Sequence, residues 1–165
     1  SIGVCNVDVA QLSRFRDAVG CDAVQCPLNL LQRDSTANLI PDCAQHDTDV
    51  YVFWTLMKGL LAGRISREHV FADGDSRPNY PVFQGAARER AHRILDQMTH
   101  IAQEHELTIA QLSIGWALSQ PGVTHALVGA HQPEQVRETA FARPLSPEVV
   151  TAIDQLVATT QSETQ

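Results

Sequence analysis

Lysine, clustered positive charge, paired cysteines and long apolar runs are all scarce in this chain, and these shortages narrow what it can do. Lys58 is the single lysine, and the formal net charge is −7. Nothing basic is clustered to neutralise phosphates, which argues against a nucleic acid or an anionic membrane surface as partner. No apolar run approaches the ~20 residues of a membrane span. Cys5, Cys21, Cys26 and Cys43 form neither a C-x-x-C pair nor a zinc-type spacing. With no signal peptide ahead of them, they are expected to be reduced thiols in a cytoplasmic protein. His92, His100 and His105 fall on polar helix faces and read as solvent-exposed side chains, so no metal site is expected.

What the chain does have is a repeat of short apolar runs, each stopping at a residue that can hydrogen-bond or stack on a ligand. The runs are Ile2-Gly3-Val4-Cys5-Asn6, Asp22-Ala23-Val24-Gln25, Val50-Tyr51-Val52-Phe53-Trp54 and His125-Ala126-Leu127-Val128-Gly129. Each is followed by a helix-like segment, so the units alternate as β then α. In such folds the ligand sits where the strands end, which would gather Asn6, Gln25, Phe53 and the Gly129 loop around one molecule. With 165 residues, 44% of them hydrophobic, the chain can bury one sizeable core.

Along the chain, Asp8 is a plausible N-cap for a helix through Val9, Leu12, Arg16 and Val19, closed by Gly20. A short strand reaches Gln25 before Pro27. A helix is expected around Ala37 to His46, its regular part beginning near Pro41. Asp49 to Thr55 reads as a buried strand, and Met57 to about Gly85 as a long irregular region of functional or mobile character. Ala91, Leu95, Met98 and Ala102 mark the apolar face of the next helix. Thr108 and Gln111 form a capping box ahead of Leu112, Ile114, Trp116 and Leu118. Pro133 opens a helix through Glu138, Ser146-Pro147-Glu148 opens the last one, and residues 159–165 are expected to be a frayed polar tail.

Five stretches in series carry a family resemblance: Ile2 to Asn6, Val24 to Leu31, Gly59-Leu60-Leu61-Ala62-Gly63, Gln111-Leu112-x-x-x-Trp116-Ala117-Leu118, and Gly129 to Glu138. In this order they resemble the carboxyl-terminal half of an aldo-keto reductase. The resemblance implies an α/β fold of the (β/α)8 TIM-barrel type, with only about the last four βα units present plus a C-terminal helix, over residues 1–158. It also implies an NAD(P)H-dependent oxidoreductase that reduces aldehydes or ketones, usually with NADPH, this chain supplying the cofactor-binding half.

The same resemblance assigns Asn6 and Gln25 to the nicotinamide carboxamide, whose donor and acceptor their side chains match. Phe53 stands where the family usually stacks a tyrosine on the nicotinamide face. Leu56 and Gly59 belong to the loop over the pyrophosphate. Gly129, His131, Gln135 and Glu138 belong to the site for the adenosine 2′-phosphate and adenine, where a helix start near Pro133 adds partial positive charge. On the residues alone, Asn6 and Gln25 equally suit turn and backbone contacts, Phe53 a core position, and the Leu56–Gly63 stretch an ordinary glycine-containing turn. Departures from the family pattern fall at His131, commonly arginine; Thr139, commonly asparagine; Cys5 and Trp54, commonly serine; and Leu28, commonly tyrosine. The resemblance implies NADP as cofactor, and because a neutral histidine cannot make the charged bidentate contact of arginine, NAD is the alternative.

No catalytic residue is assigned. The family's Asp, Tyr, Lys and His come from earlier strands, and Lys58 falls in the pyrophosphate loop as a phosphate contact or a surface charge. Tyr51 points to the face opposite Val52, with no lysine placed beside it. The expected partners are a small-molecule carbonyl substrate and, for the open strand edges, a homodimer or a missing N-terminal half. The alternative function is a non-catalytic dinucleotide-binding or assembly half-barrel.

Overall fold

In the computed structural model, which describes residues 1–162, valine and cysteine alternate with polar and aromatic residues along the strands, and the alternation decides which side is covered. Strands β1 (Gly3–Cys5), β2 (Ala23–Pro27), β3 (Asp49–Phe53) and β4 (His125–Ala126) form one parallel sheet in the order β1-β2-β3-β4. Helices α1 (Val9–Val19), α2 (Leu39–Gln45), α3 (Gly85–Glu104), α4 (Ile109–Leu118), α5 (Pro133–Thr139) and α6 (Pro147–Ser162) connect and follow the strands. Parallel neighbours in chain order, joined by helical crossovers, are the geometry of a (β/α) barrel wall. Val24, Cys26, Val50 and Val52 turn toward the helices and are buried. Gln25, Tyr51 and Phe53 turn the other way and keep solvent contact. Cys5, Gln25, Tyr51 and His125 share one row across the sheet on that open side. Tyr51 and His125 stack there, ring centroids 4.3 Å apart and nearly parallel. Tyr51 therefore lies opposite Val52, as the period-2 reading requires.

Local rules hold at several helix ends. Asp8 Oδ1 accepts from the Gln11 backbone N–H at 2.7 Å, and Gln11 Oε1 accepts from the Asp8 N–H at 2.9 Å, closing a capping box on α1. Thr108 and Gln111 do the same for α4. Gly20, at φ +77°, ends α1.

Other expectations are corrected. α2 starts at Leu39, two residues ahead of Pro41, because N–H groups of a first turn need no intrahelical partner and proline costs nothing there. The strand expected through Thr55 ends at Phe53, since Trp54 takes φ +58°. β4 is two residues rather than five. Within the long irregular region, 3-10 turns cover Met57–Ala62, Arg77–Asn79 and Pro81–Phe83. His92 is 95% buried on α3, not solvent-exposed, while His100 and His105 are exposed. The helix expected to fray from Thr159 continues to Ser162, anchored by a buried Thr160 whose hydroxyl donates to the Leu156 carbonyl; the rest of that tail lies outside the described residues.

The core lies between the covered sheet face and the helices, built from Leu12, Leu28, Leu30, Ile40, Leu60, Met98, Leu112, Trp116 and Ile153. Leu28, where the family commonly has tyrosine, is fully buried in it. Trp116 Nε1 donates to Asp154 Oδ1 at 2.9 Å, and the Arg33 guanidinium sits 4.4 Å over the Trp116 ring while donating to the same oxygen at 2.7 Å. One carboxylate thus fixes α6, α4 and the segment after β2 together. Among the described residues no helix is long and apolar enough to cross a membrane.

Candidate functional site

Past the carboxyl ends of β3 and β4 the chain opens into a cleft of about 660 Å³. One wall is the loop from Trp54 to Ile65, the second runs from Leu127 to Thr139, and His69, Asp75, Ser76 and Arg77 contribute the third. Of the residues assigned to a dinucleotide, Leu56, Gly59, Gly129, His131, Gln135 and Glu138 all line this one cleft. They come from segments separated by some seventy positions, so the fold rather than the sequence brings them together.

The first wall is shaped by backbone conformation. Trp54, Met57, Lys58 and Gly59 have φ of +58°, +40°, +53° and +95°. Left-handed conformation costs a residue with a Cβ on the order of 1–2 kcal/mol, so neighbours must hold the loop in place. Asn29, fully buried, donates from Nδ2 to the Trp54 carbonyl at 3.2 Å and accepts the Leu31 N–H at Oδ1. Ser113 on α4, also fully buried, donates to the Leu61 carbonyl at 2.9 Å. Gly63, at φ +67°, closes the loop, and a Cβ there would meet Ile109 at 3.3 Å.

The second wall is ordered by Gln135. Its Oε1 accepts from the backbone N–H groups of His131 at 2.7 Å and Gln132 at 3.2 Å, which fixes the turn into α5. Glu138 is paired with Arg64 at 2.8 Å, a link from the loop to α5 across the cleft. Two side chains expected to hold a ligand therefore already hold protein groups. His131 itself is exposed.

Lys58, Arg64 and Arg77 stand against Asp75 and Glu138 in the lining; Arg64 is paired with Glu138 and Arg77 with Asp75, which leaves the charge of Lys58 as the surplus among the described residues. The Arg77 guanidinium, donating from Nε at 2.9 Å, holds the Asp75 carboxyl down at about 2. Lys58 Nζ lies 5.2 Å from the Trp54 ring and 4.6 Å from the Tyr80 ring, a cation–π arrangement at the cleft edge.

Asn6, Gln25 and Phe53 are placed differently. Asn6 directly follows β1 and Phe53 ends β3, but the strand expected to stop at Gln25 runs on to Pro27, so Gln25 is the middle residue of β2; all three lie on or beside the open sheet face, and none lines the cleft. The Asn6 N–H donates to the Gln25 carbonyl at 3.1 Å, so the two residues are adjacent. Among the described residues neither side-chain amide has a protein partner. Phe53 meets Trp54 edge-on at 5.6 Å, and Trp54 lines the cleft, so the aromatic pair joins the strand ends to it. Cys5 is exposed on the same open face.

Sequence reasoning missed Arg64, His69, Asp75 and Arg77 as cleft residues and Asn29 and Ser113 as supports. Arg64 had a signal, since it follows the glycine that closes the loop. The His69–Arg77 stretch has no periodicity, and only its contacts reveal it: the Arg88 guanidinium donates to the carbonyls of Ser66 and His69 at 2.8 and 2.9 Å, tying the segment to α3. No cluster of His, Cys, Asp or Glu among the described residues has the geometry of a metal site.

Comparison with known proteins gives this arrangement a context. A sequence model of the aldo/keto reductase family matches residues 1–158. The NADH-specific methylglyoxal reductase of Escherichia coli is 32% identical over 142 residues, which is 86% of this chain and 43% of that protein. Aldo-keto reductase YhdN of Bacillus subtilis is 28% identical over 137 residues, 82% of this chain and 41% of that protein. In three dimensions a glycerol dehydrogenase of Gluconobacter oxydans superposes with a TM-score of 0.90 at 30% identity, over 97% of this chain and 49% of that one. The chain spans about half the length of the relatives it matches.

Proposed function

The chain belongs to the aldo/keto reductase family, and from that premise we propose that it is the cofactor-binding half of an oxidoreductase that moves hydride between NAD(P)H and aldehydes or ketones. The observation that carries this reading is the convergence of Leu56, Gly59, Gly129, His131, Gln135 and Glu138 on one cleft that also holds Lys58. Lys58 suits a pyrophosphate, and α5 with its preceding turn suits the adenosine end. The free amides of Asn6 and Gln25, with the Phe53 ring beside them, suit a nicotinamide. A nicotinamide dinucleotide, when bound, supplies or accepts the hydride; the residues of this chain bind and orient it.

The side chains argue for a weakly read 2′-phosphate. His131 lacks the planar guanidinium fork that grips a phosphate, and Arg64 is engaged by Glu138. NADP, the family's usual cofactor, is proposed with NAD as the alternative that these side chains favour, and a relative described as NADH-specific accords with the second. The substrate is a small-molecule carbonyl compound. Four free cysteines accord with a cytoplasmic setting.

Calorimetric titration of NADPH and NADH into the chain tests the reading. Binding of both, weakened for both by Lys58→Gln, is expected; no heat from either sinks it. The alternative, a half-barrel that binds a dinucleotide without catalysis, draws on the surroundings of Lys58. Its ammonium lies over ring faces, and among the described residues no lysine hydrogen-bonds a tyrosine hydroxyl. The chain alone is thus expected to show no aldehyde-dependent oxidation of NADPH. Turnover well above a heat-killed control contradicts that expectation.

A further inference from the structure

The cations that line the cleft are held in two different ways. Arg64 and Arg77 are paired with carboxylates, Glu138 and Asp75. Lys58 is held by rings. Among the described residues no carboxylate pairs with it, and its Nζ lies 5.2 Å from the centre of the Trp54 ring and 4.6 Å from that of Tyr80. The two rings meet edge-on at 5.5 Å, so the ammonium occupies the corner they form. Both sides of the corner are anchored. The buried Asn29 holds the Trp54 carbonyl, while the Tyr80 ring packs against the core. The Tyr80 backbone closes two consecutive turns, donating to the Arg77 carbonyl and accepting from the Phe83 N–H, each at 3.0 Å.

The difference has a chemical consequence. A ring face attracts a cation through its quadrupole without carrying a charge of its own. A carboxylate would cancel the charge of Lys58 and occupy its N–H donors; two rings fix the ammonium and leave both for a ligand. Fixing matters for lysine, because its flexible four-carbon stem loses rotamer freedom when it grips a phosphate. The stem springs from left-handed backbone, φ +53° and ψ +32°, in the loop that Asn29 and Ser113 hold. Trp54 and Lys58 line the cleft, whereas Tyr80 does not, so Tyr80 reaches a ligand there through Lys58. Trp54 stands where the family commonly has serine, which makes this corner a feature of the chain rather than of the fold.

We propose that Trp54 and Tyr80 are positioning residues, whose rings hold the Lys58 ammonium un-neutralised at the cleft edge for the pyrophosphate of a dinucleotide. The role of the phosphate rests on the dinucleotide reading above; the aromatic corner does not. Through Tyr80 the irregular segment that supplies the third wall also bears on how tightly the first wall binds.

Lys58 is the single lysine, so isotopic labelling of lysine alone isolates its side-chain resonances. In the ligand-free chain its ε-methylene protons, lying over two ring faces, should resonate upfield of their position in the unfolded chain, and Tyr80→Leu should move them back toward it. An ε-methylene already at the unfolded position in the parent would overturn the proposal. Titration of NADH then reads the positioning. Tyr80→Leu should weaken binding by about three- to tenfold, Tyr80→Phe, which keeps the ring, should scarcely change it, and Tyr80→Leu should have no further effect once Lys58→Gln is present. Circular dichroism checks that each variant is folded. Equal weakening by Tyr80→Leu with and without Lys58 would make Tyr80 a packing residue and overturn the positioning role. Absence of binding by the parent, with the ε-methylene shift intact, contradicts the dinucleotide reading and upholds the aromatic corner.

Discussion

His131 is the residue on which cofactor preference turns. It is exposed on the cleft wall, and only its backbone N–H is committed, to Gln135. An arginine there has room to meet a 2′-phosphate, so His131→Arg should tighten NADPH by on the order of 1.5–3 kcal/mol and leave NADH nearly unchanged. Fluorescence titrations at two salt concentrations check this; equal tightening for both dinucleotides would remove position 131 from the phosphate site. The thiols give a second residue-scale outcome. Cys5 is exposed, whereas burial pushes the Cys26 thiol up and, with help from the Asp42 carboxylate, the Cys43 thiol up to about 11. Alkylation of the native chain should modify Cys5 first and spare Cys26 and Cys43, as peptide mass mapping would show. A raised folded-state value means that the unfolded chain loses these protons first, so stability is whole below pH 9 and falls as pH climbs toward 11. A denaturant midpoint unchanged across that window would contradict it. Residue types at strand ends were legible in the sequence because a strand has period two. The burial of His92 was not, because its cover comes from another segment: Arg67, placed near it, pairs with Glu89 and Asp96 of α3.

At the scale of elements, helix caps and strand faces were the most readable features, since Asp8, Thr108 and their glutamine partners act within one turn. Strand length was less readable. β4 stops after two residues because Leu127 still donates to Val52 while the backbone beyond it turns to line the cleft. The left-handed loop after β3 was read as a glycine turn, but three of its members with positive φ carry side chains, and only Asn29 and Ser113, distant in sequence, explain how it is held. Close approach of α4 to the 143–145 segment depends on Gly115. A Cβ there would stand 2.6 Å from the Arg143 carbonyl oxygen and 2.8 Å from Leu145 Cδ2. Backbone cannot yield as a flexible side chain does, so Gly115→Ala should destabilise the chain by about 1–3 kcal/mol, despite alanine's better helix propensity. Chemical denaturation measures it, and a variant as stable as the parent would show that the two segments can separate.

For the molecule as a whole, the barrel family was legible because several short motifs occur in the right order, each weak by itself. The cleft's third wall was not, because His69, Asp75 and Arg77 reach it through an irregular segment pinned by Arg88. The chain thus combines a covered sheet face, a bare one and a cleft at the strand ends that holds Lys58, and the account stands on that cleft receiving a dinucleotide that extends to the amides of Asn6 and Gln25. Nuclear magnetic resonance titration of labelled protein with NADPH addresses this directly. The predicted result is shifts in the backbone amides of Gly59, Gly63, Gly129 and His131 together with the side-chain amides of Asn6 and Gln25. Saturating dinucleotide that leaves these signals in place, or moves only signals elsewhere, would contradict the account.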